Sequence, residues 1–298
     1  MITLKNQYLT VLINELGAEL TSVKDSEGIE YIWQADPTYW KRHAPILFPI
    51  VGRLKDNQYQ FNSRTYDMTQ HGFARDHTFA VESQLPTKVS LVLKSNEETL
   101  VNYPFKFELR VIYELVDHSL NVSLNVINPT SETLLFSIGA HPGFNIPLVE
   151  DAGSFEDYFV RVAPKKAYSQ IPLKPPYSDP NDRREIDLTK PLSLNHELFN
   201  SDAIVLDLNR QETTVMLASS VNDHGVSLTV ENAPYVGIWS PYPKKAPFAC
   251  IEPWWGLADT VDANGKLADK FAINKLAGRH AFAGTVSYTH LTLPTILR

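Results

Sequence analysis

Glu252 sits beside two indoles in the run Ile251-Glu252-Pro253-Trp254-Trp255-Gly256-Leu257-Ala258-Asp259. A carboxylate can take a proton from a hydroxyl, and an indole face covers the apolar C–H patches of a sugar ring. The same pattern also suits a buried strand end whose tryptophans are core and whose glutamate is solvated. A second proton-handling group stands in Gly139-Ala140-His141-Pro142-Gly143-Phe144. His141 follows an uncharged apolar run, and the Pro-Gly pair fixes a turn that holds its imidazole at a strand end. With an ordinary pKa of about 6.5, such a group can give or take a proton near neutrality. The alternative is a structural histidine.

Two further clusters supply donors. Arg53 closes Phe48-Pro49-Ile50-Val51-Gly52-Arg53, where a glycine allows close backbone approach and the guanidinium fork suits neighbouring hydroxyls or a carboxylate. The alternative is a surface arginine after a buried strand. Gln70-His71-Gly72-Phe73-Ala74-Arg75-Asp76 is a compact polar constellation on a loop. His71 can donate to a ligand hydroxyl and Arg75 can bind hydroxyls or a phosphate, or Arg75 and Asp76 serve only to pin the loop. His71, His141 and Glu252 are also zinc-ligating types, but they are scattered singly with no paired spacing, so no metal is expected. A serine hydrolase lacks its Gly-x-Ser-x-Gly elbow. No phosphate-binding glycine loop or dinucleotide fingerprint is present, and no cofactor is expected.

The elements that must hold these residues are strands. Period-two alternation marks residues 89–93, 107–113 and 120–126, with a hairpin around Asp117-His118, and an apolar strand over 134–138. Later strands are expected at 203–208, 214–217, 226–230 and 236–239. Short helices are expected near 37–40 and 97–101. Many short strands separated by turn signals predict an all-β, antiparallel sandwich or barrel. Residues 164–191, rich in Pro, Lys, Asp and Arg, read as a long surface excursion of one domain rather than a linker.

With a net charge of −7 and no basic run interleaved with aromatics, the chain does not fit a nucleic-acid partner. No apolar run reaches membrane-span length and the start carries no signal-peptide core, so a cytoplasmic protein without a membrane partner is expected. One cysteine, Cys250, excludes an intrachain disulfide. Residues 286–298 resemble the translation of a sequencing-library adapter. The expected organisation is therefore a single domain over 1–285 followed by a non-native tail, with the alternative of a genuine β-rich end.

In order along the chain, Phe-Pro-Ile-Val-Gly-Arg (48–53), His-Gly-Phe-Ala-Arg-Asp (71–76), His-Pro-Gly-Phe (141–144) and Ile-Glu-Pro-Trp-Trp-Gly (251–256) resemble the aldose 1-epimerase (galactose mutarotase-like) family, closest to its LacX-type branch. The resemblance spans about residues 4–276. It implies an antiparallel β-supersandwich with a few short helices and a site in an open cleft. It implies His141 as general acid and Glu252 as general base, with Arg53 and His71 contacting substrate hydroxyls. Asp202 matches the family's substrate-binding aspartate, and Trp254 and Trp255 are candidates to stack on the sugar. The His-Gly-Phe-Ala-Arg pattern also resembles the hexose-6-phosphate mutarotase branch, in which arginines hold the phosphate. Galactose mutarotases proper carry His-Gly-Gly instead. The implied activity is α/β anomer exchange of a hexose or hexose 6-phosphate, with base and acid on opposite sides of the acetal and neither metal nor cofactor. The rival readings are a non-catalytic carbohydrate-binding or regulatory module and, if Asp202 faces Glu252 as a second carboxylate, a glycoside hydrolase or lyase.

Overall fold

The longest alternating segments pair as their pattern dictates. Glu108–Val116 and Ser119–Ile127 form an antiparallel hairpin in which Val116 pairs with Ser119. Asp117 supplies the left-handed turn residue, at φ 49°. Leu109, Val111, Tyr113 and Leu115 of the first strand point inward with Leu120, Val122, Leu124 and Val126 of the second. Each such buried side chain contributes roughly 1.5–3 kcal/mol of transfer free energy. The computed structural model describes residues 1–292, with side chains to 289.

These strands lie within a nine-stranded sheet. It continues through Lys88–Lys94 to the edge strand Ala80–Leu85 on one side. On the other side come Ala281–Thr292, His224–Glu231, Thr213–Ser219, Tyr158–Ala163 and the short Leu192–Ser193. Ala281–Thr292 is an interior strand, paired with Ser119–Ile127 and His224–Glu231, and its Val286 and Tyr288 are buried. The expected domain end at residue 285 falls inside this strand, and residues 293–298 lie outside the described residues.

An eight-stranded sheet packs against the first and carries the chemistry-bearing clusters. Its central strand, Phe248–Trp255, pairs with Tyr235–Trp239 along one edge. The other edge pairs with Gly143–Asn145 and Ile138–Ala140 in succession. One alternating strand thereby serves two layers. Ala249, Ile251 and Trp255 enter the core between the sheets, whereas Glu252 and Trp254 face outward. Fold and patterning agree on an all-β, antiparallel supersandwich.

Two local expectations need correction. Residues 37–40 make a single turn instead of a helix. The Asp36 side chain and carbonyl hold Thr38, Tyr39 and Trp40, and Trp40 then turns toward the cleft. The apolar run 134–138 is split at Ser137, whose N–H donates to the Pro49 carbonyl at 2.7 Å. Leu134–Phe136 pairs with Asn274–Leu276, while Ile138–Ala140 joins the eight-stranded sheet. Within the excursion over 164–191, Ala167–Ile171 and Arg184–Asp187 extend the eight-stranded sheet, and a small hairpin between them carries Pro175 and Pro176 to the cleft mouth. The helix expected near 97–101 is present as Glu97–Asn102, started by a reciprocal Asn96–Thr99 capping box.

Candidate active site

Glu252 projects from the central strand into a cleft of about 600 Å³, a volume suited to a small ligand. His141, just past the strand Ile138–Ala140, donates its backbone N–H to Pro45 and reaches the same point. Its Nε2 lies 3.2 Å from Glu252 Oε2. Among the described residues, Glu252 Oε2 and His141 Nδ1 have no hydrogen-bond partner. Such orphaned atoms are costly unless a ligand satisfies them. The carboxylate and imidazole stand side by side on the cleft floor.

Aromatic rings fix His141 in place. Trp40 stacks on the imidazole with centroids 4.7 Å apart, and Trp239 meets it edge-on at 5.5 Å. Burial pushes Glu252 well above the usual carboxylate range, with Asp202 adding repulsion. Burial also lowers His141 to about 3, with Arg75 contributing. Both shifts favour a neutral pair holding one proton between them. His71 is likewise driven down, first by burial and then by His141 and the neighbouring arginines. Because Gly52 N–H donates to His71 Nδ1 at 3.1 Å, the neutral ring carries its proton on Nε2.

The loop bearing His71 is held by backbone. His71 and Gly72 both adopt left-handed φ, 67° and 71°. A Cβ on Gly72 would stand 2.3 Å from the Phe48 carbonyl oxygen. His71 N–H donates to the Gly52 carbonyl, and Phe73 N–H to that of Phe48. The first two sequence clusters are thus one structural unit. Arg53 donates to Gln70 Oε1 at 3.0 Å and Arg75 to the Gln70 carbonyl at 2.6 Å, yet each retains a buried Nε without a hydrogen-bond partner. Asp76 serves the loop, paired with Arg42 at 2.6 Å and, at 3.9 Å, with Arg75 Nε.

Asp202, with φ 74°, also reaches the cleft. Burial raises its carboxyl, partly offset by the Ala203 N–H and Trp239. Trp254 lies flat over Gly139 and Gly237, where a Cβ at either glycine would come within 2.8 Å of the indole. Trp255 points the other way, into the core, with its N–H on the Asn232 carbonyl. All seven sequence-predicted site residues, Arg53, His71, Arg75, His141, Asp202, Glu252 and Trp254, line this one cleft. Trp40, Gln70, Trp239 and Tyr242 also line it and were missed. Gln70 could have been found from its place beside His71. Trp239 could have been found from its opposite phase to the core residues of its strand.

A second cavity, of about 380 Å³, lies beside residues 259–271. Its buried Lys270 and Asp259 satisfy each other at 3.0 Å, with Leu257 carbonyl and Lys55 N–H completing their bonds. That wall is a structural ion pair.

The cleft on one sheet of this antiparallel supersandwich holds a buried carboxylate–imidazole pair among aromatic rings. The chain belongs to the aldose 1-epimerase family, an isomerase family whose model matches residues 1–266. It is 39% identical to the LacX proteins of Lactococcus lactis subsp. lactis over 285 residues, covering 92% of this chain and 94% of theirs. A galactose mutarotase related enzyme from Lactobacillus acidophilus superposes with TM-score 0.95 at 41% identity, over 97% of this chain and 96% of that one. A galactose mutarotase-like protein from Lactobacillus casei gives TM-score 0.89 at 34% identity, over 97% and 99%. Among the described residues, no helix is long and apolar enough to cross a membrane.

Proposed function

We propose that this chain interconverts the α and β anomers of a hexose or hexose 6-phosphate. The observation that carries the reading is the buried His141–Glu252 pair, 3.2 Å apart, with an unpartnered ring nitrogen and an unpartnered carboxylate oxygen in the cleft. Anomer exchange moves two protons at adjacent oxygens, both bonded to C1. Once the pair's single proton has passed from Glu252 to His141, Glu252 takes the proton of the C1 hydroxyl and His141 gives its proton to the ring oxygen, so the C1–ring-oxygen bond breaks and an aldehyde forms. Rotation about C1–C2 and the reverse transfers close the ring on the other face. The two groups stand side by side, in place of the expected opposite sides of the acetal, and such a pair suits two oxygens on one carbon.

The pair holds one proton before opening and one after it, so turnover leaves its proton inventory unchanged. Proton transfer by positioned groups contributes about 10²–10⁴-fold. His71 Nε2–H, Asp202 and Arg53 would orient the hydroxyls, and Trp254 offers an apolar face. The unpartnered Nε–H of Arg53, with the Arg75 guanidinium beside it in the cleft, supports a phosphate at the far end of the sugar.

Exchange spectroscopy on glucose, galactose and glucose 6-phosphate tests the reading, with accelerated anomer exchange expected on at least one. Sugar binding without acceleration would instead support a non-catalytic carbohydrate-binding module. Arg75→Ala is expected to raise KM for the phosphosugar by at least tenfold while sparing the free sugar. Equal losses on both would reject the phosphate role.

A further inference from the structure

Cys250 lies two residues before Glu252 on the central strand, so alternation sends both side chains to the same face. Its Sγ, a ring nitrogen of His141 and a carboxylate oxygen of Glu252 all fall within 4.8 Å of one another. The residues Cys250, His141 and Glu252 are 0%, 7% and 1% exposed. Independently of the cysteine, His141 Nδ1 and Glu252 Oε2 are buried with no hydrogen-bond partner. Sequence spacing hides this grouping, because His141 comes from a strand end more than a hundred residues away.

We propose that His141, Cys250 and Glu252 form a site for a thiophilic divalent cation, Zn²⁺ or Cd²⁺, whose binding blocks the cleft floor. The donor set is right in kind: a thiolate, an imidazole nitrogen and a carboxylate are ordinary zinc ligands at about 2.0–2.3 Å. The widest pair needs roughly 1 Å of approach to meet tetrahedral spacing. One thiolate and one carboxylate cancel the charge of the cation, so the loaded site is neutral overall in its buried setting. Binding displaces the Cys250 thiol proton, and the Glu252 proton where present, to solvent. Three protein ligands leave a fourth position open toward the cleft, through which the ion enters. Mg²⁺ and Ca²⁺, which prefer sets of oxygen ligands, are not expected to bind. The metal is an inhibitor here, because it engages both atoms that the proposed exchange needs. The inhibitory consequence rests on that reading, while binding itself does not.

The test titrates the chelator-treated full chain with Co²⁺, whose bond to a thiolate gives a charge-transfer absorption band. One equivalent should produce the band, and Zn²⁺ should abolish it. Cys250→Ala should lack the band and lose more affinity for Zn²⁺ than the roughly 10–100-fold typical of losing an outer-shell partner. In exchange assays, Zn²⁺ should inhibit wild type competitively with sugar, and Cys250→Ala should be resistant. Absence of a thiolate band in the folded wild-type protein would overturn the proposal, as would equal Zn²⁺ affinity with and without Cys250. The spectroscopic readout needs no activity, so it decides even if Cys250→Ala fails to fold or no sugar is exchanged.

Discussion

His141 and Glu252 are each held toward the neutral form by burial, and this links the site to stability with opposite signs. The folded pKa of His141, about 3, lies below its unfolded value. Its contribution is therefore fully present above about pH 6.5 and is lost as pH falls toward 3, at about 1.4 kcal/mol per pH unit. Buried His71, shifted the same way, adds to that loss. Glu252 is raised, so its contribution is present below its unfolded pKa and lost as pH rises through the folded value. Glu252→Gln should thus melt higher than wild type at pH 8, with the gap closing below about pH 4.5, where the unfolded carboxyl is protonated. Thermal melts across pH check this, and a constant gap would contradict it. The rate profile follows from the same pair: with one proton shared over a wide range, exchange should be flat through about pH 6–7. A step near pH 6.5 would show that His141 titrates as an ordinary exposed histidine.

The element that matters most for alignment is the double loop 48–53 and 70–76, joined backbone to backbone. Gly72→Ala would place a methyl against the Phe48 carbonyl at a left-handed φ. A cost of about 1–3 kcal/mol is expected, with a shift of His71 that raises KM for every sugar. Circular dichroism melts and kinetics together test it, and unchanged values for both would show that the loop yields freely. The strand Ala281–Thr292 makes a second prediction. Deleting 286–298 removes Val286 and Tyr288 from the core and unpairs the ends of two neighbouring strands. Loss of two buried side chains at roughly 1.5–3 kcal/mol each should lower the melting temperature by several degrees or more. An unchanged melt would show that the segment adds nothing. That 286–298 is foreign sequence is a proposal of its own, and intact genomic codons at the locus would refute it.

At the scale of the molecule, what could be read in the sequence followed physical period. Long strands such as Glu108–Val116 and Ser119–Ile127 are half-buried, so alternation marked their ends to within three residues. Ile46–Leu47 and Ile138–Ala140 are too short and too buried to alternate, and tertiary pairing defines them. The four polar clusters were legible because each joins a charged or histidine side chain to a glycine or proline turn. Trp40, Trp239 and Cys250 were not, since an aromatic or thiol on a strand or turn reads as core until the fold shows which face it takes. The adjacency of His141 to Cys250 and Glu252 is a product of antiparallel pairing between distant segments, and no local pattern carries it.

Glu252 is the residue on which the proposed exchange depends most directly. Anomer exchange should be followed by magnetisation-transfer NMR on the best sugar, comparing wild type with Glu252→Gln at equal folded concentration. The variant should bind sugar with similar affinity and lose about 10²–10⁴-fold in exchange rate. Near wild-type exchange in a folded Glu252→Gln variant would contradict the assignment of Glu252 as the base and, with it, the mechanism.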